Sequence, residues 1–345
     1  MVNFCKFTIK RNPKPIMQRQ QQLTSWLEGL FPGETFSLAP ASSDASFRRY
    51  FRASFKDRTL IAMDAPPEHE DCRPFLHVAR LFEKSGVHVP HVHAEDLSQG
   101  FLLLSDLGST TYLQALNESN ARELYGAATR ALIRIQIASN ENELPPYDGE
   151  LLLKEMRLFP EWYVKKHLGA SLSDAQHARL ETVFSRIVAN NLAQPRVYVH
   201  RDYHSRNLMV AEPNPGIIDF QDAVYGPITY DLASLFKDAY IKWDEEQIID
   251  WLIAYWERAR RAGLPVQEDF GEFYRDFELM GVQRHIKVLG IFARLYHRDG
   301  KEGYLKDMPL VMEYLRAACA RYEDLRPLLK LLDELEQKAP AGYAS

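Results

Sequence analysis

The sequence predicts an α+β chain of two lobes, a small strand-rich lobe followed by a larger helical one. Three observations carry this expectation. Residues 35 to about 105 hold short apolar runs punctuated by Pro, Gly and Asp. Beyond Asp106 the apolar residues recur at helical spacing. A chain of 345 residues also suits about two compact units, at ~150 residues apiece. The expected boundaries are a loose leader at 1–16, a small lobe at 17–105 and a helical lobe at 106–345.

The elements follow in order. Residues 1–16 carry two prolines and no period, and Gln18 to Leu30 reads as a short helix stopped by Pro32-Gly33. Phe47 to Arg52 mixes aromatic and basic residues at strand density, and Thr59 to Met63 is a second strand ended by Asp64-Ala65-Pro66-Pro67. A helix from about Cys72 to Lys84 takes Pro74 into its first turn and has Gly86 past its end. Val87–Ala94 and Phe101–Leu104 complete a small sheet. Helical periodicity then marks Tyr112–Leu116, Ala121–Ala138, Leu151–Leu168, Asp174–Asn190, Ile248–Ala262, Phe270–Tyr296 and Met308–Glu336. One strand cluster interrupts them, at Val197–His200, Asn207–Val210 and Gly216–Phe220.

Composition excludes several classes. Lys and Arg number 42 against 47 Asp and Glu, a net charge of −5, which argues against a general nucleic-acid binder. The longest apolar run, Gly100 to Leu104, is strand-sized and far short of the ~20 residues of a membrane span. The first residues, MVNFCKFTIKRNPKPIM, have no apolar core and do not read as a secretory signal. Cys5, Cys72 and Cys319 are odd in number and widely spaced, which fits a reducing cytoplasm better than a disulfide framework. Sequence alone gives no oligomeric state.

The informative stretch is VYVHRDYHSRNLMV followed by GIIDFQD. An apolar strand delivers His200-Arg201-Asp202, Asn207 opens a second strand, and a third ends in Asp219-Phe220. H-R-D-x-x-x-x-N with a later apolar-Asp-Phe strand is the pattern of a kinase catalytic loop and metal-binding strand end. Phosphoryl transfer needs an aligned acceptor hydroxyl and a neutralised phosphate tail more than covalent work from the protein. Asp202 is therefore expected to take the acceptor proton, and Asn207 and Asp219 to hold Mg²⁺ on the phosphates of ATP. His200 is expected to brace the loop rather than react.

HRDYHSRN, IIDF and the later GPITYDLASL resemble the aminoglycoside phosphotransferase-like kinases, which share the two-lobed protein-kinase-like fold. The resemblance assigns Asp231 as that family's structural Asp; a helix N-cap is the plain alternative. Asp231 follows Asp219 too closely for a long activation segment, and no A-P-E follows, which favours a small-molecule acceptor over a peptide.

The small lobe departs from the kinase pattern. Its expected nucleotide loop, Ser42 to Tyr50, replaces the glycine-rich motif with small polar residues, among them Ser43, Asp44 and Ser46. No lysine stands on Leu60-Ile61-Ala62-Met63-Asp64, so Arg48 or Arg49 is expected to supply that charge, and sequence does not choose between them. Glu70 and Asp71 are the candidate partner acids. Leu103 to Gly108 resembles the hinge between lobes, where backbone groups around Leu104 and Asp106 would read adenine, with side-chain identity of little account.

SDASFRRY, MDAPP, EMRLFPEWYVKKHLG and QRHIKVLGIFARLYHRDGKEGYL are similar to the bacterial anomeric kinases that phosphorylate N-acetylmuramate and N-acetylglucosamine on the C1 hydroxyl in cell-wall recycling. The likeness runs from about Gln21 to Leu315 and implies a small-molecule amino sugar as the acceptor. Independently, Arg284, Lys287, Arg294 and Arg298 fall at offsets of 3, 7 and 4, making one helical face basic. That face would suit an anionic sugar, or else be a solvated face paired with Glu278 and Asp299. Trp162 could stack on a sugar ring or pack in the core, and His204 could touch the acceptor or brace the loop. Choline, homoserine and aminoglycoside kinases, or a nucleotide-binding pseudokinase module, remain as alternatives.

Overall fold

The computed structural model describes residues 13–43 and 47–336 and divides into two units. The first comprises residues up to Ala79 together with Pro90–Leu107; the second comprises Arg80–Val89 and everything from Gly108 onward.

The first unit is built on helix α1 (Pro13–Leu30) and strands β1 (Ser37–Ser43), β2 (Arg49–Ser54) and β3 (Thr59–Asp64), then the part of α2 (Arg73–Lys84) up to Ala79, β4 (Val92–Asp96) and β5 (Phe101–Ser105). The strands form one antiparallel sheet in the order β1-β2-β3-β5-β4. Alternation on β2 turns Phe51 and Ala53 inward, and Leu23 and Leu27 of α1 cover them with Ala62, Phe101 and Leu103. Helix α1 begins at Pro13, ahead of the expected Met17, and the rest of the expected leader lies outside the described residues. Strand β4 begins only at Val92, because Pro90 supplies no ladder donor. Gly100, at φ +71°, turns the chain into β5; a Cβ there would lie 1.9 Å from the Ala65 carbonyl oxygen.

The second unit opens with α3 (Tyr112–Ala115), α4 (Ala121–Ile137) and α5 (Gly149–Met156), a π-helix at Phe159–His167, and α6 (Asp174–Ala193). Short strands follow: β6 (Arg196–Val199), β7 (Leu208–Met209), β8 (Gly216–Ile217) and β9 (Val224–Pro227), with β6 pairing β9 and β7 pairing β8. Helices α7 (Tyr230–Phe236), α8 (Glu245–Arg261), α9 (Phe270–Asp299), α10 (Met308–Arg321) and α11 (Arg326–Glu336) complete it, with 3-10 turns at Glu302–Asp307 and Glu323–Leu325.

Two expected helices are broken, each at a proline. The span Leu151–Leu168 leaves the α-ladder at Pro160, which has no amide to donate, and closes as a wider coil with the Leu168 N–H on the Tyr163 carbonyl at 2.9 Å. The span Met308–Glu336 breaks at extended Tyr322, and a new helix begins at Arg326 with Pro327 in its first turn. Strand β9 was not expected; it is short, and its partner β6 is distant in sequence.

Helix α9 organises this unit. Every residue from Phe277 to Gly290 is buried, so this middle stretch of the helix is enclosed on all sides rather than amphipathic. Gly290 lets it pass against Leu158, whose carbonyl carbon would stand 2.5 Å from an added Cβ.

Candidate active site

The segment after β6 is fixed from beneath by one carboxylate. Asp231, 1% exposed, accepts the amide N–H of His200 at 2.7 Å and of Arg201 at 3.0 Å. Burial pushes its carboxyl up to about 7, and the two amide bonds and Arg284 pull the other way. It lies within the first turn of α7, and the N-cap is Thr229, so the capping alternative is corrected. His200 is fully buried. Its Nε2 stands 3.0 Å from the Ile218 carbonyl, and its Nδ1 accepts the Asp202 amide at 3.3 Å. Burial lowers this imidazole to about 4, so it is neutral, and one N–H and one lone pair join the two strand ends.

Those strand ends carry local strain. Arg201 (φ +76°) and Asp219 (φ +65°) adopt left-handed backbone without being glycine, a conformation costing roughly 1–3 kcal/mol each. The effect is to turn Asp202 and Asp219 out of their strands. The Asp202 side chain is 42% exposed. Its partial burial acts to raise the carboxyl, but the charges of Lys287, Arg284 and Arg201 outweigh that and hold it well below the usual range. It is therefore ionised and able to accept a proton hydrogen-bonded to it. Asn207 Nδ2 donates to the Asp202 carbonyl at 3.0 Å and to Asp219 Oδ2 at 3.2 Å; Gln221 Nε2 donates to Asp219 Oδ1 at 2.9 Å.

These residues fit a hard cation. With Nδ2 on Asp202 and Asp219, the Asn207 amide oxygen is left as a ligand beside the Asp219 carboxylate. Among the described residues no three His, Cys, Asp or Glu gather as a metal cluster, so an ion here would rely on Asn207, Asp219 and the phosphates, the mix of ligands Mg²⁺ ordinarily takes.

Beneath Asp202 lies a network that sequence reasoning did not find. Glu155 of α5 accepts from the Tyr147 hydroxyl and the Arg201 guanidinium, from Lys287 Nζ at 2.9 Å and from Gln283 Nε2 at 3.3 Å. Lys287 also donates to the Tyr230 hydroxyl at 2.9 Å. Arg284 Nη1 donates to the Arg201 carbonyl at 2.9 Å and stands 3.8 Å from Asp202 Oδ1. Burial penalises the Glu155 charge, yet Lys287 and Arg201 hold its carboxyl at about 2. One signal was available: Glu155 sits between Leu152 and Met156 on the buried face of α5, where an acid needs partners.

The basic wall expected on α9 is thereby corrected. Arg284 and Lys287 are 6% and 5% exposed, and their charges are directed at the catalytic loop and Glu155 instead of open solvent. The alternative holds only at the end of the stripe: exposed Arg298 pairs with Asp299 at 2.8 Å, whereas Glu278 pairs with Lys237 and Arg321, outside it. Arg294 is half-buried, and Trp162 packs half-buried against the core around α9. His204 is buried, its ring edge-on to Tyr240 at 5.4 Å.

In the first unit, Arg49 pairs with fully buried Asp64, which Arg19 shares. Arg48 lies just outside β2 and is held by Glu70 at 3.3 Å. Leu104 is buried within β5, and the Asp106 carboxylate takes Arg52 through two bonds, at 2.6 and 3.0 Å. The Asp106 side chain thus has a definite task, against the expectation that its identity matters little. Ser43 ends β1 opposite Arg49, while Asp44 and Ser46 lie outside the described residues.

A strained loop presents Asp202 with Asn207 and Asp219 gathered beside it, the arrangement expected of a phosphotransferase. The phosphotransferase enzyme family matches residues 37–264, and the chain belongs to that family. The N-acetylmuramate/N-acetylglucosamine kinase of Pseudomonas aeruginosa is 51% identical over 333 residues, covering 94% of this chain and 98% of that one. The protein of the same name from Neisseria meningitidis is 50% identical over 95% of this chain and 99% of its own, and that from Caulobacter vibrioides 30% identical over 79% and 85%. Among solved structures, a choline kinase from Streptococcus pneumoniae matches with a TM-score of 0.63 at 13% identity, covering 87% of this chain and 99% of that one. An ADP-bound aminoglycoside phosphotransferase gives 0.58 at 16%, over 85% and 97%, so the fold is that of these protein-kinase-like enzymes.

Proposed function

We propose that the protein transfers the γ-phosphoryl group of ATP to the anomeric C1 hydroxyl of N-acetylmuramate and N-acetylglucosamine. The observation that carries this reading is the near full-length likeness, 51% identity over 94% of the chain, to a relative named for both acceptors. In the proposed reaction Asp202 accepts the hydrogen bond of the C1 hydroxyl and takes its proton as that oxygen bonds the γ-phosphorus. The bond from the γ-phosphorus to the β-phosphate oxygen breaks, and ADP leaves. Asn207 and Asp219 would hold Mg²⁺, which supplies charge neutralisation on the phosphates. Arg48, steadied by Glu70, would meet a phosphate oxygen in place of the missing lysine; Arg49 is the less favoured choice because buried Asp64 already takes it. The reading assigns the enzyme to the cytoplasm, where ATP is available. Among the described residues no helix is long and apolar enough to cross a membrane.

The test is a panel of acceptors with Mg-ATP: both amino sugars, choline, homoserine and an aminoglycoside, with the product position read by phosphorus NMR. A doublet from phosphate on C1 of the two amino sugars is expected. Phosphate on another hydroxyl, or turnover of choline alone, would overturn the reading.

A further inference from the structure

The half-buried and buried residues of the catalytic loop separate into two groups. Tyr203, His204 and Ser205 are buried, while Asp202, Arg206 and Asn207 remain partly open. Arg206 is therefore, like Asp202 and Asn207, a residue of the loop that solvent reaches. Its side chain is 36% exposed, and its guanidinium carbon lies over the Tyr240 ring, 3.5 Å from the centroid, with the Tyr304 ring at 6.0 Å. Phe292 adjoins both rings, at 6.2 Å from Tyr240 and 5.0 Å from Tyr304. This aromatic corner is built by the segment after α7, by α9 and by the 3-10 turn Glu302–Asp307.

The corner is fixed to the loop. Asp238, 1% exposed, accepts the Ser205 amide at 2.9 Å, the Ser205 hydroxyl, and the Tyr240 amide at 3.1 Å. One carboxylate thus sets the position of Tyr240 relative to Asp202. Two polar atoms here have no hydrogen-bond partner although they are buried: His204 Nδ1, on a residue only 9% exposed, and Asp307 Oδ2, which is ion-paired with Arg206. Arg206 Nη2 stands 3.7 Å from that Asp307 oxygen, too far for a hydrogen bond. A stacked guanidinium keeps its in-plane N–H donors free, and a planar fork suits a carboxylate. Aromatic rings with flanking polar groups suit the apolar face and hydroxyls of a pyranose.

We infer that Arg206, stacked on Tyr240, is the residue that selects an acceptor bearing a carboxylate. The inference rests on the acceptor reading given above. The two acceptors differ at one substituent: N-acetylmuramate carries a lactyl ether ending in a carboxylate, and N-acetylglucosamine carries a hydroxyl. Arg206, whose nearest carboxylate is Asp307 at 3.7 Å, would gain a two-pronged hydrogen-bonded partner from the first sugar only, while Tyr240, Tyr304 and Asp307 would offer the same contacts to both. Arg284 and Lys287, the cations singled out by helical spacing, are closed in by Glu155, Tyr230 and the Arg201 carbonyl, and do not compete for this task.

The test uses the full-length protein with Mg-ATP and measures both sugars for wild type, Arg206→Gln and Arg206→Lys. Loss of a charge-assisted, two-pronged contact should lower the ratio of kcat/KM for N-acetylmuramate over N-acetylglucosamine about 10- to 100-fold in Arg206→Gln. Arg206→Lys keeps the charge without the fork and should restore part of that ratio. An unmoved ratio, whether both activities persist or both fall, overturns the role of Arg206 and leaves the acceptor reading standing. Wild-type protein that phosphorylates neither sugar overturns the acceptor reading and this inference with it.

Discussion

Each unit of the molecule buries a carboxylate that holds two cations, Asp64 in the first and Glu155 in the second, and the two arrangements differ at one of those cations, Lys287, which is nearly closed to water. In the first unit Asp64 is fully buried, but its partners Arg19 and Arg49 keep side-chain exposures of 19% and 22%. In the second, Glu155 is 7% exposed, Lys287 6% and Arg201 20%. A cation at the water boundary can swing away if its partner is lost. An enclosed one cannot, and its charge must be balanced in place. The comparison teaches that Arg19 and Arg49 can be reassigned at modest cost, whereas enclosed Lys287 must stay balanced by Glu155, which in turn holds Arg201 beside Asp202.

The largest effect that sharpens this comparison is on turnover. Asp219→Ala should lower kcat by about 1,000-fold or more, and should also abolish the Mg²⁺-dependent part of the rise in Tm that ATP gives. The next breaks the two carboxylates in parallel. Glu155→Ala should cost about 3–5 kcal/mol in urea unfolding, since it strands an enclosed ammonium, and Asp64→Ala clearly less, because Arg19 and Arg49 reach solvent. Equal losses would remove the distinction between the two regions. Within the sheet, Arg48→Ala should raise KM for ATP about tenfold, and Arg49→Ala should act mainly on Tm.

A pH series gives a smaller and more specific effect. The Glu155 carboxyl lies at about 2 in the folded protein against an ordinary 4.5. A carboxyl depressed on folding contributes stability above its unfolded value, and that contribution is lost as pH falls from about 4.5 through about 2. The urea midpoint of Glu155→Gln should therefore fall less steeply than that of wild type across this window. Smallest of all, breaking the surface pair Arg157–Glu181, joined at 2.9 Å with both side chains well exposed, should cost under about 0.5 kcal/mol.

The gathering of Asp202, Asn207 and Asp219 was legible because a few polar letters stand at fixed short offsets inside apolar strands: His200, Asp202, Asn207 and Asp219 all lie within one stretch of chain. The surrounding network was not, because Tyr147, Glu155, Tyr230 and Lys287 come from separate elements that only the fold brings together. Spacing on α9 correctly grouped Arg284 with Lys287, but the same period describes a helix bathed in solvent and one buried on every side. The lobe order was legible from the change of period beyond Asp106. Helix breaks were legible in part, since Pro160 and Pro327 were visible while their effect depended on how the flanking turns packed. Arg206 was overlooked inside a motif whose other letters drew attention, and the alternation of burial along the loop is what distinguishes it.

The central claim is that Asp202 takes the acceptor proton while nucleotide is held by other groups. Asp202→Asn tests it most directly, with turnover and the ATP-induced shift in Tm measured on the same purified sample. The account predicts kcat lower by about 1,000-fold or more with the shift in Tm retained. Turnover within about tenfold of wild type would contradict it.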